Sequence, residues 1–202
     1  MKDIYSIVSQ YTMIDFDRIN SLSNAIDSVK KDNIPGDFVE CGSWKCGTLG
    51  FMSLYSRSIG LQKKIHGFDS FEGMPKPIDI DGNDSMQWTA KLAVSIDEAY
   101  ENLRLMNSSD VTLHKGFFEK TLSQNKCSID KISILRLDCD WYSSTKTCLE
   151  ELYDLVSPGG FIIIDDYGHW QGCKKAVDEF RENRNISNNL FQTNYTEFWW
   201  RK

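Results

Sequence analysis

No stretch of the 202-residue sequence stays apolar for the roughly 20 residues that a membrane-spanning helix needs, so no membrane partner is expected. Clustered lysines and arginines are missing too. The 23 basic side chains are outnumbered by 29 acidic ones, giving a net charge of −6, and no basic stretch could track a phosphate backbone. Nucleic acid is therefore not an expected partner. The six cysteines, at 41, 46, 127, 139, 148 and 173, form no CxxC pair and no zinc-type spacing with histidine, so they read as reduced, buried thiols. The first fifteen residues, MKDIYSIVSQYTMID, hold one lysine followed at once by an acid and no continuous apolar run. They do not read as a secretory signal, and the cytoplasm is the expected compartment. With only four prolines, no internal repeat and no low-complexity linker, the chain reads as one domain: an N-terminal helical segment over 1–34 and a core over 35–202.

What is present is an alternation of helical and extended patterns. Ile19, Leu22, Ile26 and Val29 recur at helical spacing behind a capping aspartate at 15 or 17, which predicts a helix over 16–31. Phe38-Val39 begins a strand that runs into Glu40-Cys41-Gly42, and a helix follows from about Trp44 to Ser58. Further strands are predicted over 64–68, 111–114, 132–137 and 160–164, with a helix over 95–106; the last two strands are β-branched runs of the kind buried on both faces. LFQTN and TEFWWR, around Asn194-Tyr195, predict a terminal hairpin. Alternating strands and helices imply a mostly parallel sheet covered on both faces, with ligands outside the carboxyl ends of its strands.

Two groups of residues fall at those ends. Gly42, Ser43 and Gly47 occupy the turn between the first strand and its helix, and their glycines permit a sharp turn and close approach to a ligand. Only two glycines are present and Glu40 precedes them, which disfavours a pyrophosphate and suits the cationic amino-acid head of S-adenosylmethionine. Asp69 ends the second strand, placed to accept hydrogen bonds from a ribose diol; that diol alone fits a nicotinamide dinucleotide equally well. At the other group, Asp138 and Asp140 leave one strand and Asp165 and Asp166 leave the next. Strands lie roughly 4.8 Å apart, so four carboxylates there repel one another unless a cation intervenes. Oxygen ligands of this kind suit Mg²⁺, with Mn²⁺ or Ca²⁺ as substitutes. A metal lowers the pKa of a bound hydroxyl and a nearby carboxylate removes its proton, so the pairing of cofactor and cation predicts methyl transfer to oxygen.

The stretches PGDFVECGSWKCG (35–47), HGFDSFEGMPKP (66–77), KGFFEKTL (115–122), ILRLDCDWYSST (134–145), GGFIIIDDYG (159–168) and FWWRK (198–202) together resemble the macrocin O-methyltransferase family, enzymes that methylate sugars. The resemblance implies a class I methyltransferase fold, Rossmann-like, with a seven-stranded, mostly parallel sheet and a C-terminal antiparallel hairpin. It implies an acceptor that is a sugar or a glycosylated small molecule, and a homo-oligomer. It further implies that Asp138, Asp165 and Asp166 bind Mg²⁺, that Asp140 is the general base, and that Glu40, Gly42, Asp69 and Ser70, with Gly116, Phe117 and Phe118, line the S-adenosylmethionine pocket. Three positions depart from the family pattern: Cys46 replaces the first glycine of a pair, Cys139 replaces the glycine of Asp-Gly-Asp, and Lys120 stands where an aspartate is frequent. Cys139 raises the expectation of backbone strain between Asp138 and Asp140. An oxidoreductase on a similar sheet and a non-catalytic relative are the rival readings.

Outside these groups, residues 73–90 form a long Gly/Pro/Asp-rich connection that predicts a cover over the acceptor. Trp88, Trp141 and Trp170 are candidate platforms for a sugar ring or core residues, and His169 is either a substrate contact or a solvated loop residue. Asp81 and Asp84 reach the acidic group only if that connection folds inward.

Overall fold

The computed structural model describes residues 1–125 and 128–202, so Cys127 and its expected reduced state lie outside the described residues. In chain order the elements are α1 (Lys2–Val8), α2 (Phe16–Lys31), β1 (Asp37–Cys41), α3 (Gly47–Ser58), β2 (Ile65–Asp69), α4 (Ile96–Leu105), β3 (Val111–Lys115), α5 (Phe118–Asn125), β4 (Ile132–Leu137), α6 (Tyr142–Leu152), β5 (Val156–Ile164), α7 (Gln171–Asn183), β6 (Phe191–Gln192) and β7 (Phe198–Arg201). One seven-stranded sheet has the order β3-β2-β1-β4-β5-β7-β6. Its first five members are parallel, while β7 runs antiparallel to both β5 and β6. This is the sheet and the terminal hairpin that the sequence predicts. No helix among the described residues is long and apolar enough to cross a membrane.

The sheet is buried from both sides because its strands alternate between two cores. Phe38, Ile134, Phe161 and Ile163 face α1 to α4, whereas Val39, Leu135, Ile162 and Ile164 face α5, α6 and α7. The N-terminal helical segment shares the first core through Val8, Ile14, Ile19, Leu22 and Ile26. Asp15 caps α2 as expected, its Oδ1 accepting the Arg18 N–H at 2.9 Å.

The connection over 73–90 does fold inward. At the neck of the loop the Ala90 N–H donates to the Met74 carbonyl and the Met74 N–H to the Lys91 carbonyl, and the Trp141 indole donates to the Pro75 carbonyl at 3.0 Å. Asp81 is buried, but it serves α6: its Oδ1 accepts the Tyr142 N–H at 2.7 Å and its Oδ2 accepts the Ile78 N–H at 2.8 Å. It supplies the cap that Trp141, at the N-cap position, lacks. Asp84 is exposed. Replacing Asp81 with alanine strands two N–H donors, one of them at a helix start, and is expected to lower stability by about 1–3 kcal/mol in urea denaturation.

Candidate active site

One cleft runs along the carboxyl ends of β1, β2, β4 and β5, and it joins the two groups of residues singled out from the sequence. Gly42, Ser43, Asp69, Ser70, Phe117 and Phe118 line one end; Asp138, Asp140, Asp165 and Asp166 line the other. Glu40, Gly47 and Gly116 do not line it.

At the first end Asp69 organises the turn that follows β1. Its Oδ2 accepts the backbone N–H groups of Ser43 and Trp44 at 2.8 and 2.9 Å, and its Oδ1 accepts that of Phe71 at 2.7 Å. The Ser43 hydroxyl is buried, has no partner among the described residues, and lies where a Cβ on Gly67 of β2 would meet it. Gly42 adopts φ +90°, and a Cβ there would overlap the Asp138 carbonyl oxygen, so this glycine is required by the neighbouring turn as much as by any ligand. Gly47 lies behind the turn, where a Cβ would strike the backbone of Tyr11. Gly116 sits beside the site, its N–H donating to the Asp69 carbonyl, and sets the direction in which Phe117 and Phe118 leave β3. Lys120 is exposed on α5.

Glu40 occupies a different environment from the one expected. It is 1% exposed, and its Oε1 accepts from Arg136 Nη1 at 2.7 Å. Arg136 reads in the sequence as part of an apolar strand, yet its buried guanidinium also binds Asp138 Oδ2 at 2.8 Å and, through Nη2, Asp165 Oδ1. Arg18, from α2, binds the other Asp165 oxygen at 2.7 Å. Strand alternation explains the grouping: Glu40, Arg136 and Asp165 continue the face of Phe38, Ile134 and Ile163, towards α2. Asp166, one residue on, is directed elsewhere.

The aspartates accordingly divide in a way that differs from the expectation. Carboxylate oxygens of Asp138, Asp140 and Asp166 lie within 4.8 Å of one another, whereas both oxygens of Asp165 are held by arginines. The Asp166 Oδ2 is buried without a partner among the described residues. Burial and, next, the Asp138 charge push the Asp140 carboxyl up to about 8, against the opposing hydrogen bond from Trp170. Burial, then Asp140, drives Asp166 well above the usual carboxylate range. Three crowded oxygens with one orphaned lone pair fit a hard divalent cation, and the donor set is the kind Mg²⁺ takes.

The strain expected at Cys139 lies elsewhere: Cys139 is outside the left-handed region, and Asp140 carries φ +58°. Cys46 does adopt the left-handed conformation that a glycine would favour, at φ +66°. Trp141 is 2% exposed and packs edge-on against Trp170 at 5.0 Å, so it is a core residue. Trp170 is half-buried and donates from Nε1 to Asp140 Oδ1 at 2.9 Å. His169 is exposed and lies against the Trp170 ring; Trp88 is half-buried in the 73–90 loop. The cleft walls that sequence reasoning missed are Tyr11–Ile14, Arg18, Trp44 and Leu92.

A parallel sheet with an antiparallel β7, and a cleft with an acid-anchored turn at one end and clustered aspartates at the other, define a class I methyltransferase. The profile of the family Macrocin-O-methyltransferase (TylF) matches residues 6–202. The chain is 33% identical to the 8-demethyl-8-(2,3-dimethoxy-alpha-L-rhamnosyl)-tetracenomycin-C 4'-O-methyltransferase of Streptomyces olivaceus, over 95% of this chain and 75% of that one. It is also 33% identical to the demethyldecarbamoylnovobiocin O-methyltransferase of Streptomyces niveus, over 95% of this chain and 76% of that one. The solved structure of the O-methyltransferase NovP superposes with a TM-score of 0.87 at 32% identity, covering 95% of this chain and 82% of that one. The chain belongs to the macrocin O-methyltransferase family and is an S-adenosylmethionine-dependent O-methyltransferase.

The buried carboxylates set a pH dependence. Burial, offset by Arg136, raises Glu40 to about 8; Asp140 reaches about 8; burial, again offset by Arg136, raises Asp165 to about 6. All three exceed the unfolded values near 4, so between roughly pH 4 and 8 the folded chain holds protons that the unfolded chain has lost. Their contribution to stability is full below that window and disappears as pH rises through it. In EDTA the melting temperature is expected to fall from pH 5.5 to 8.5, and Mg²⁺ to restore it at the alkaline end. A melting temperature that rises with pH over this range would contradict the placement of these groups.

Proposed function

We propose that this enzyme transfers a methyl group from S-adenosylmethionine to a hydroxyl of a sugar or glycosylated metabolite, assisted by Mg²⁺. The observation that carries the reading is the meeting, in one cleft, of the Asp69-anchored turn and the Asp138, Asp140 and Asp166 oxygens. Asp69 and Ser43 line the end of the cleft that would take the nucleoside of the cofactor, and Phe117 and Phe118 would provide apolar surface beside it. Asp138 and Asp166 would hold the cation, since Mg²⁺ is commonly bound by one or two carboxylates with water and substrate oxygens completing the shell. A cation there supplies positive charge that lowers the pKa of an acceptor hydroxyl.

Asp140 then removes the hydroxyl proton. The Trp170 indole fixes one of its oxygens, and the left-handed backbone at Asp140 turns the carboxylate back toward the other acids. Asp165 is kept apart from this chemistry by its two arginines, which is where the proposal departs from the ligand set implied by family resemblance. The sugar acceptor is supported by the two Streptomyces relatives, one named for a rhamnosyl-tetracenomycin-C and the other for demethyldecarbamoylnovobiocin.

The test is S-adenosylhomocysteine release with a panel of glycosides. Asp140→Asn is expected to lower kcat by about 10²–10⁴-fold while S-adenosylhomocysteine still binds in calorimetry, and EDTA is expected to abolish turnover until Mg²⁺ is restored. Full turnover in EDTA would sink the metal-assisted mechanism, and an Asp140→Asn variant of unchanged kcat would remove Asp140 as the base.

A further inference from the structure

Arg18 stands 147 residues from the carboxylate it binds, and it belongs to neither end of the cleft as the sequence defines them. Its Nη1 donates to Asp165 Oδ2 at 2.7 Å and its Nη2 to the Met13 carbonyl at 3.1 Å. The second bond matters because Met13 lies in the stretch Tyr11–Ile14, which leads from the end of the 3-10 turn Ser9–Tyr11 to α2, and all four of those residues line the cleft. On its other flank this stretch rests on the cofactor end: Thr12 Oγ1 meets Thr48 Oγ1 at 3.3 Å, and the Tyr11 backbone abuts Gly47. Asp165 is itself immobile, since its remaining oxygen is bound by the buried Arg136.

We infer that Arg18 is a positioning residue that fastens the Tyr11–Ile14 wall onto Asp165 and so closes the cleft over the S-adenosylmethionine pocket. The inference rests on the methyltransferase reading for the identity of the ligand, but the fastening itself is a property of the chain. A guanidinium is suited to the task because its planar fork serves two acceptors at once, whereas an ammonium on a flexible stem does not hold both in fixed directions. Asp165, withheld from the carboxylate triangle, anchors the guanidinium, and the wall cannot lift without breaking the Met13 hydrogen bond that the anchored guanidinium holds.

The experiment compares wild type, Arg18→Met, Arg18→Lys, Asp165→Asn and the double variant Arg18→Met/Asp165→Asn. Hydrogen exchange over residues 9–16 and calorimetry with S-adenosylhomocysteine are measured for each, alongside a thermal melt. Arg18→Met is expected to speed exchange in 9–16 selectively and to weaken S-adenosylhomocysteine binding about tenfold, the loss of roughly one charge-assisted hydrogen bond. Arg18→Lys, which keeps the ion pair with Asp165 but not the Met13 bond, should fall between the two. If Arg18 acts through Asp165, its removal adds little further effect once Asp165 is asparagine.

Unchanged exchange over 9–16 in Arg18→Met overturns the proposal, as do effects of Arg18→Met and Asp165→Asn that simply add. Should Asp165→Asn fail to fold, Arg18→Lys against Arg18→Met decides: equal behaviour of the two in exchange and binding contradicts the two-acceptor role. A wild-type protein that binds no S-adenosylhomocysteine defeats the functional reading instead, and the fastening is then judged on exchange alone.

Discussion

The structure depends on a single buried cation. Arg136 sits in the middle of the sheet, on the strand flanked by β1 and β5, and its guanidinium bonds Glu40, Asp138 and Asp165 from those three strand ends. Without it, three carboxylates would face one another in a region nearly closed to water. Breaking such a buried arrangement by deleting one partner costs about 3–5 kcal/mol, because the groups left behind have no compensating charge. The guanidinium therefore permits an acidic site to be built on the carboxyl end of a parallel sheet at all. It also sorts the acids: Glu40 and Asp165 are neutralised internally, Asp138 is shared between the guanidinium and the cleft, and Asp140 and Asp166 face the cleft with no arginine partner among the described residues.

That division gives the cleft its chemical character. Asp140 and Asp166 resist ionisation through burial first and a neighbouring carboxylate second, Asp138 for Asp140 and Asp140 for Asp166, so a ligand bringing positive charge meets carboxyl groups whose deprotonation it directly favours. In the proposed mechanism a cation held by Asp138 and Asp166 would acidify the acceptor oxygen and Asp140 would receive its proton, so both parts fall to residues within one short turn and its neighbour on β5.

Much of this was legible in the sequence, for identifiable reasons. The β-branched runs of β4 and β5 end abruptly in aspartate, and a strand's end in a parallel sheet is where ligands bind; the acidic cluster follows from those two facts. Asp69 and the turn around Gly42 were legible in the same way. What escaped was direction. Asp165 and Asp166 are adjacent in sequence, but alternation sends them to different partners, and the composition of a strand end does not reveal which. Arg136 carries a signal of its own, a charged residue inside a run predicted to be buried on both faces, which obliges a counter-charge nearby. Arg18 gave no local signal, since its partner is distant in sequence. Cys139 misled because the left-handed residue of that turn is Asp140, one position later.

The close passage of Gly42 against the Asp138 carbonyl has a broader consequence. The turn proposed to take the donor and the turn that carries the acids touch backbone to backbone, with no side chain between them to yield. Donor and acid ends thus form one inflexible block, and the give needed for substrate entry and product exit falls to the cleft's other borders, the Tyr11–Ile14 wall and the loop leading from Gly73 to Leu92. For anyone redesigning the enzyme, the two turns are a single part, to be transplanted together or left alone, while acceptor preference is open to change on the opposite banks.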